Sequence, residues 1–221
     1  MNPIQQCDPN NFIARAFCEG GWVMYVIAVF AILTIILVVE RMMKLNALLV
    51  NKKDFSDIIY RMVISGDIRQ AIAYCDQRPA PLTNTVKAGL VQALNKRPDE
   101  EVQVAMDAAL LREMPKIEGW TAFLAVFGNV AVLAGLLGTI IGMVGSFRAV
   151  SMADNATKAE LLSQGISHAL NCTAFGLCVA IVAIVSYGIF QHQIQKTENE
   201  VIETSMSLLN LVVANRDKIK D

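Results

Sequence analysis

Apolar and polar positions alternate along this chain on two scales. Three long runs carry no Asp, Glu, Lys or Arg: Gly20–Val39, Gly119–Phe147 and Leu161–Gln195. Outside them, apolar residues recur every three or four positions, with charges on the remaining faces. A helix needs about 20 mostly apolar residues, at about 1.5 Å each, to cross the hydrocarbon core. Each run reaches that length, and buried helices of soluble cores rarely continue so far without a charge. The pattern predicts three transmembrane helices. The first run follows Cys7, Asp8 and Glu19 rather than a basic segment, and it is too long for the core of a cleaved signal peptide.

The polar stretch 40–118 shows no alternating strand pattern. Asp54–Ile64 places Phe55, Ile58, Ile59, Met62 and Val63 at helical spacing. Gly66 ends that helix, and Asp67 is expected to cap another through Asp76. Pro79-Ala80-Pro81 reads as a turn before a helix over Leu82–Leu94, with Val86, Leu90 and Leu94 on one face. Pro98 and the acidic Asp99, Glu100 and Glu101 open a fourth helix, where the helix dipole favours negative charge. Pro115 is expected to kink or break the path into the second run. After the third run, Ile194, Val201, Ile202, Leu208, Leu209, Val212 and Val213 continue an apolar stripe, and neither Gly nor Pro follows Gly188. One helix of about 50 residues, roughly 75 Å, should therefore leave the membrane here. Its stripe needs a partner surface, in this chain or in a neighbouring copy. The predicted fold class is an all-α integral membrane protein with a helical cytoplasmic domain.

Charge adds an orientation. Lys and Arg number one in residues 1–19 (Arg15), twelve in 40–118, two in 148–160 and four in 196–221. The positive-inside rule then puts the N-terminus outside and the C-terminus inside. The expected organisation is a periplasmic segment 1–19, spans at 20–39, 119–147 and 165–190, a cytoplasmic domain 40–118, a periplasmic loop 148–164 and a cytoplasmic helix 191–221. Trp22 and Trp120 stand where interfacial anchors belong. A net charge of −1 offers no footprint for nucleic acid. The five cysteines lack metal spacing, and no cofactor or metal is expected. Cys7 and Cys18 either pair in an oxidising periplasm or stay free.

The most specific pattern lies in the second run. Gly128, Ala131, Gly135, Gly138, Gly142 and Gly145 follow one another at spacings of 3, 4, 3, 4 and 3, with Thr139 and Ser146 flanking the seam. The third run answers with Ala169, Thr173, Gly176, Ala180 and Ala183. Small seams let membrane helices approach closely, and hydroxyls bond across them; packing within one subunit would account for most of these glycines. In the first run Ile27, Phe30, Leu33, Ile36 and Leu37 read as lipid-facing, so that span is expected to be peripheral. Intramembrane proton sites usually use ionisable residues. The runs hold no Asp, Glu, Lys or Arg; His168 in the third is either structural or part of a conduction path, and His192 at its inner boundary reads as solvated. A proton conductor built from this chain would need a carboxylate from another one.

At these residues a resemblance emerges. Gly135-Leu136-Leu137-Gly138-Thr139, with Gly142 and Ser146-Phe147, is similar to the second-span motif of the MotA/TolQ/ExbB proton-channel family. The stretch Gly165–Leu177, containing Ser167-His168-Ala169-Leu170-Asn171-Cys172-Thr173, resembles the third-span motif. Three spans rather than four point to the ExbB and TolQ branch. The resemblance implies a pentamer in the inner membrane of Gram-negative bacteria. It also implies an ExbD- or TolR-like single-span partner whose intramembrane aspartate carries the proton, and a TonB- or TolA-like or motility component that is driven. By the same resemblance Thr139 and Thr173 match the pore threonines, with Ser146 and His168 beside the path, whereas His168 stands where the family usually has glutamate. Two readings compete: a non-conducting helical membrane scaffold, and an intramembrane serine protease using Ser146 and His168. The second lacks a Gly-x-Ser-x-Gly nucleophile motif, and the chain is not expected to be an enzyme.

Overall fold

The computed structural model describes residues 21–48 and 52–216, all-helical apart from short turns. Arg15, Cys7, Cys18 and the 1–19 segment lie outside the described residues. The helices are α1 (Gly21–Leu48), α2 (Lys52–Ile64), α3 (Ile68–Gln77), α4 (Pro81–Leu94), α5 (Asp99–Glu118), α6 (Thr121–Ser151) and α7 (Lys158–Ala214). Stretches of α1, α6 and α7 are long and apolar enough to cross a membrane. Two compact units divide the chain. One holds α1 up to Glu40, α6, and α7 up to Gly188; the other holds α1 from Arg41, α2 to α5, and α7 from Ile189.

In the polar unit the helical periodicities converge on one core. Phe55, Ile59 and Val63 of α2, Ile68, Ala71 and Cys75 of α3, Val86 and Leu90 of α4, and Val102 and Met106 of α5 are buried together. Val201, Leu208 and Val212 of α7 complete it. The stripe on that long helix thus finds its partner within the chain. The helix is 57 residues long, about 85 Å at about 1.5 Å each. Asp67 occupies the N-cap of α3 without a side-chain cap bond; only its carbonyl accepts, from the Ala71 N–H at 3.2 Å.

Of the kink or break expected at Pro115, the break does not occur there. The proline sits inside α5, where the carbonyl it deprives is that of Leu111, four residues back. Both residues are on the exposed side, so water can satisfy that oxygen. The break falls at Gly119, with φ 46° and ψ −132°, a region costly for any residue with a Cβ. A Cβ there would also overlap the guanidinium of Arg41, which is 2% exposed. Gly119→Ala is expected to destabilise the protein by about 1–3 kcal/mol, read as a lower thermal midpoint. An unchanged midpoint would mean that the backbone at this junction adapts freely.

Burial pushes the Cys75 thiol up to about 12, with Asp76 adding to the rise and Lys87 opposing it. The folded state therefore disfavours the thiolate. Its stability is intact below the ordinary thiol range and falls as pH climbs from about 9 toward 12. Thiolate is the reactive form, so a maleimide at pH 8 should leave Cys75 unlabelled in the native protein and label it fully after denaturation. Rapid native labelling would show that this core opens.

In the apolar unit α1 is less peripheral than its sequence suggested. Ile27 is fully buried with Val23, Ala131 and Val179, and Phe30 meets Phe127 at 5.8 Å between ring centres. Leu33 and Ile36 stay exposed, as lipid-facing residues should. Thr34, also buried, turns its hydroxyl back onto the Phe30 carbonyl at 2.8 Å, the usual way a helix hides such a group.

Candidate functional site at the seam of two membrane helices

The small residues of α6 are filled from within the chain. A Cβ on Gly128 would meet Ala180 and Ala183, one on Gly135 would meet Cys172 and Thr173, and one on Gly142 would meet Ala169. A Cβ on Gly138 would lie 2.7 Å from the Cys172 Cβ, and one on Gly165 would overlap the Ser146 hydroxyl. As the index rises on α6 it falls on α7, so the two helices run antiparallel. At Gly176 the approach is backbone to backbone, with the Ala131 carbonyl 2.6 Å from a hypothetical Cβ. Gly145 drops out of the seam: it is exposed, with nothing within 4 Å of its Cβ position.

This close approach brings together two hydroxyls that are 34 residues apart. Thr139 Oγ1 and Thr173 Oγ1 are 3.1 Å from each other. Thr173 donates to the Gly135 carbonyl at 3.1 Å; Thr139 reaches the Leu136 carbonyl at 2.8 Å and the Gly135 carbonyl at 3.2 Å. Two hydroxyls own two protons between them and face more acceptors than that. The hydrogens therefore have alternative arrangements, with either threonine donating to the other. Such a pair can relay a proton but cannot hold a charge itself.

Ser146 is buried and donates to the Gly142 carbonyl of its own helix at 2.7 Å. His168 points elsewhere. Its Nδ1 lies 3.7 Å from the Cys172 sulfur, and its Nε2 lies 3.1 Å from where a Gly21 Cβ would be. It is thus turned toward α1, about 7.5 Å along the helix from Thr173. Five residues on one helix lie about 140° apart, so the two side chains leave α7 in different directions.

One polar feature escaped the sequence analysis. Gln164 and Ser167 are exposed and Asn171 is half-buried, on the face of α7 opposite the seam. At spacings of 3 and 4 they form a polar stripe along α7. Their helical spacing was visible, but without the packing they read only as scattered polar residues.

The helices and their hydroxyl-bearing seam define an all-α membrane protein whose charge-free runs carry no acid among the described residues. The sequence model of the MotA/TolQ/ExbB proton channel family matches residues 77–203, more than half of the chain. The chain belongs to that family, in its ExbB/TolQ branch. It is 41% identical over 91 residues to the Tol-Pal system protein TolQ of Pseudomonas aeruginosa, covering 41% of this chain and 39% of that one. To the biopolymer transport protein ExbB of Pseudomonas putida it is 30% identical over 118 residues, 53% and 36% of the two chains. A putative ExbB homolog of Methanothermobacter thermautotrophicus is 29% identical over 177 residues, covering 79% of this chain and 61% of that one. The matches to the first two thus span about two fifths of each relative's length.

Proposed function

We propose that this chain is the multi-copy subunit of an inner-membrane proton channel that converts the proton motive force into work on a periplasmic or outer-membrane machine. The observation that carries the reading is the Thr139–Thr173 hydroxyl pair at 3.1 Å, set in a seam without any carboxylate. A relay of this kind needs a titrating group from outside. An ExbD- or TolR-like single-span chain with an intramembrane aspartate would supply it, and a TonB- or TolA-like or motility component would receive the work. Thr139 and Thr173 form the centre of the path and Ser146 extends it, while His168, turned toward α1, has a structural role beside it. The chain is read as N-outside and homopentameric, with 1–19 and 148–164 periplasmic and 40–118 and 191–221 cytoplasmic. Its compact units divide at Glu40, Gly119 and Gly188, close to the limits of the charge-free runs, which supports that layout.

Energy is sufficient: one charge crossing 100 mV releases about 2.3 kcal/mol, and a few protons would shift a two-state assembly decisively. The test is proton flux into vesicles holding this chain, with and without the single-span partner. Flux only with both is expected. No flux from a complex that assembles would favour the non-conducting scaffold.

A further inference from the structure

The seam glycines are occupied within one copy, so contacts between copies must use other surfaces. Two exposed faces of the polar unit stand out, and both involve α5. The first is a crest: Val104 and Leu111, 65% and 72% exposed, are seven residues apart on the side of α5 away from the core. Asp107 and Glu100, both exposed, flank them. The second is a groove between α4 and α5, of about 480 Å³, floored by Ala88, Val91, Ala105 and Ala109; Lys87, Arg112 and Glu113, the last paired with Lys116, supply its charges. That volume has room for about sixteen waters at about 30 Å³ each, enough for aliphatic side chains to enter. Large aliphatic residues two turns apart on one face are costly to leave in water, and a polar cytoplasmic unit has no lipid to cover them.

We propose that the crest of one copy docks into the groove of the next, so that the polar units form a closed ring. The chemistry is complementary. Large side chains meet a floor of small ones, and the acidic flank of the crest meets Arg112, while Glu113 of the groove is held by Lys116. The two faces are different, and contacts between unlike faces of identical chains generate a ring where the rotation closes, which the homo-oligomeric reading supplies. Lys87 already pairs with Asp76, which leaves Arg112 as the main charge presented to an incoming Asp107. This inference rests on the homo-oligomeric reading above and gives it an address in the cytoplasm.

The test uses the full chain in its membrane, with Leu111→p-benzoylphenylalanine and irradiation. A ladder of chain-to-chain adducts is expected, mapping by mass spectrometry to Ala88 or Val91 of another copy. In the same background Arg112→Glu should cut the adduct about tenfold, and adding Asp107→Lys should bring it back, as expected where electrostatic complementarity sets register. Adducts elsewhere on a second copy, adducts only with a smaller chain, or none from a complex whose native mass remains oligomeric would each overturn the docking. A reversed pair that fails to recover would overturn it too. A monomeric native mass for the unmodified protein would instead overturn the oligomeric reading itself.

Discussion

Replacing Thr173 by valine is expected to lower proton-driven output about tenfold or more while leaving the protein folded. Groups that move protons in a rate-setting step contribute about 100-fold or more elsewhere, and here two hydroxyls share the task. Valine keeps the branched shape but removes the bond to Thr139 and the one to the Gly135 carbonyl. That carbonyl also serves its own helix, so the loss in stability should stay near 1 kcal/mol. Thr139→Val should act in the same direction, whereas Thr173→Ser retains a donor and should recover most of the output. Ser146 bonds only within its own helix, so Ser146→Ala should have the smaller effect. The measurement is flux in vesicles containing the partner, normalised to assembled complex. Undiminished flux in both valine variants would remove the hydroxyl pair from the path.

Gly176→Ala should be more damaging than the same change at Gly128, Gly135 or Gly142. Its Cβ would sit 2.6 Å from the Ala131 carbonyl and 3.2 Å from the Gly135 Cα. Backbone atoms cannot swing away as a flexible side chain can, so α6 and α7 must move apart. Membrane helices associate through packing and hydrogen bonds rather than through hydrophobic driving force, and overpacking costs about 1–3 kcal/mol. A fall of about 4–10 °C in the thermal midpoint of the purified protein is expected, with output reduced because Thr139 and Thr173 separate. Gly145→Ala is the control. Nothing surrounds its Cβ position, and alanine is the better helix former by about 1 kcal/mol, so its midpoint should match or exceed that of the unaltered protein. Equal midpoints for Gly176→Ala and the unaltered protein would show that this approach is looser than its geometry.

Composition alone was enough to place the three spans. A charge in hydrocarbon is so unfavourable that its absence over 20 or more residues is a local signature, independent of what the helix touches. Helical periodicity likewise marked Val86, Leu90 and Val201 as inward-facing, and all three are buried. The family motifs singled out Thr139 and Thr173. What the sequence could not supply was the identity of the neighbour across each face. Periodicity says which residues share a side, and the same stripe fits lipid, the same chain or another copy. The antiparallel pairing of α6 with α7 decided that the seam is filled internally, that Gly145 stands outside it, and that two hydroxyls meet. Packing against α1 decided that Ile27 is buried and that His168 faces that helix. The stop at Gly119 rather than Pro115 was settled in the same way: a proline on a wet face can be tolerated, whereas a φ of 46° beside a buried arginine admits only glycine.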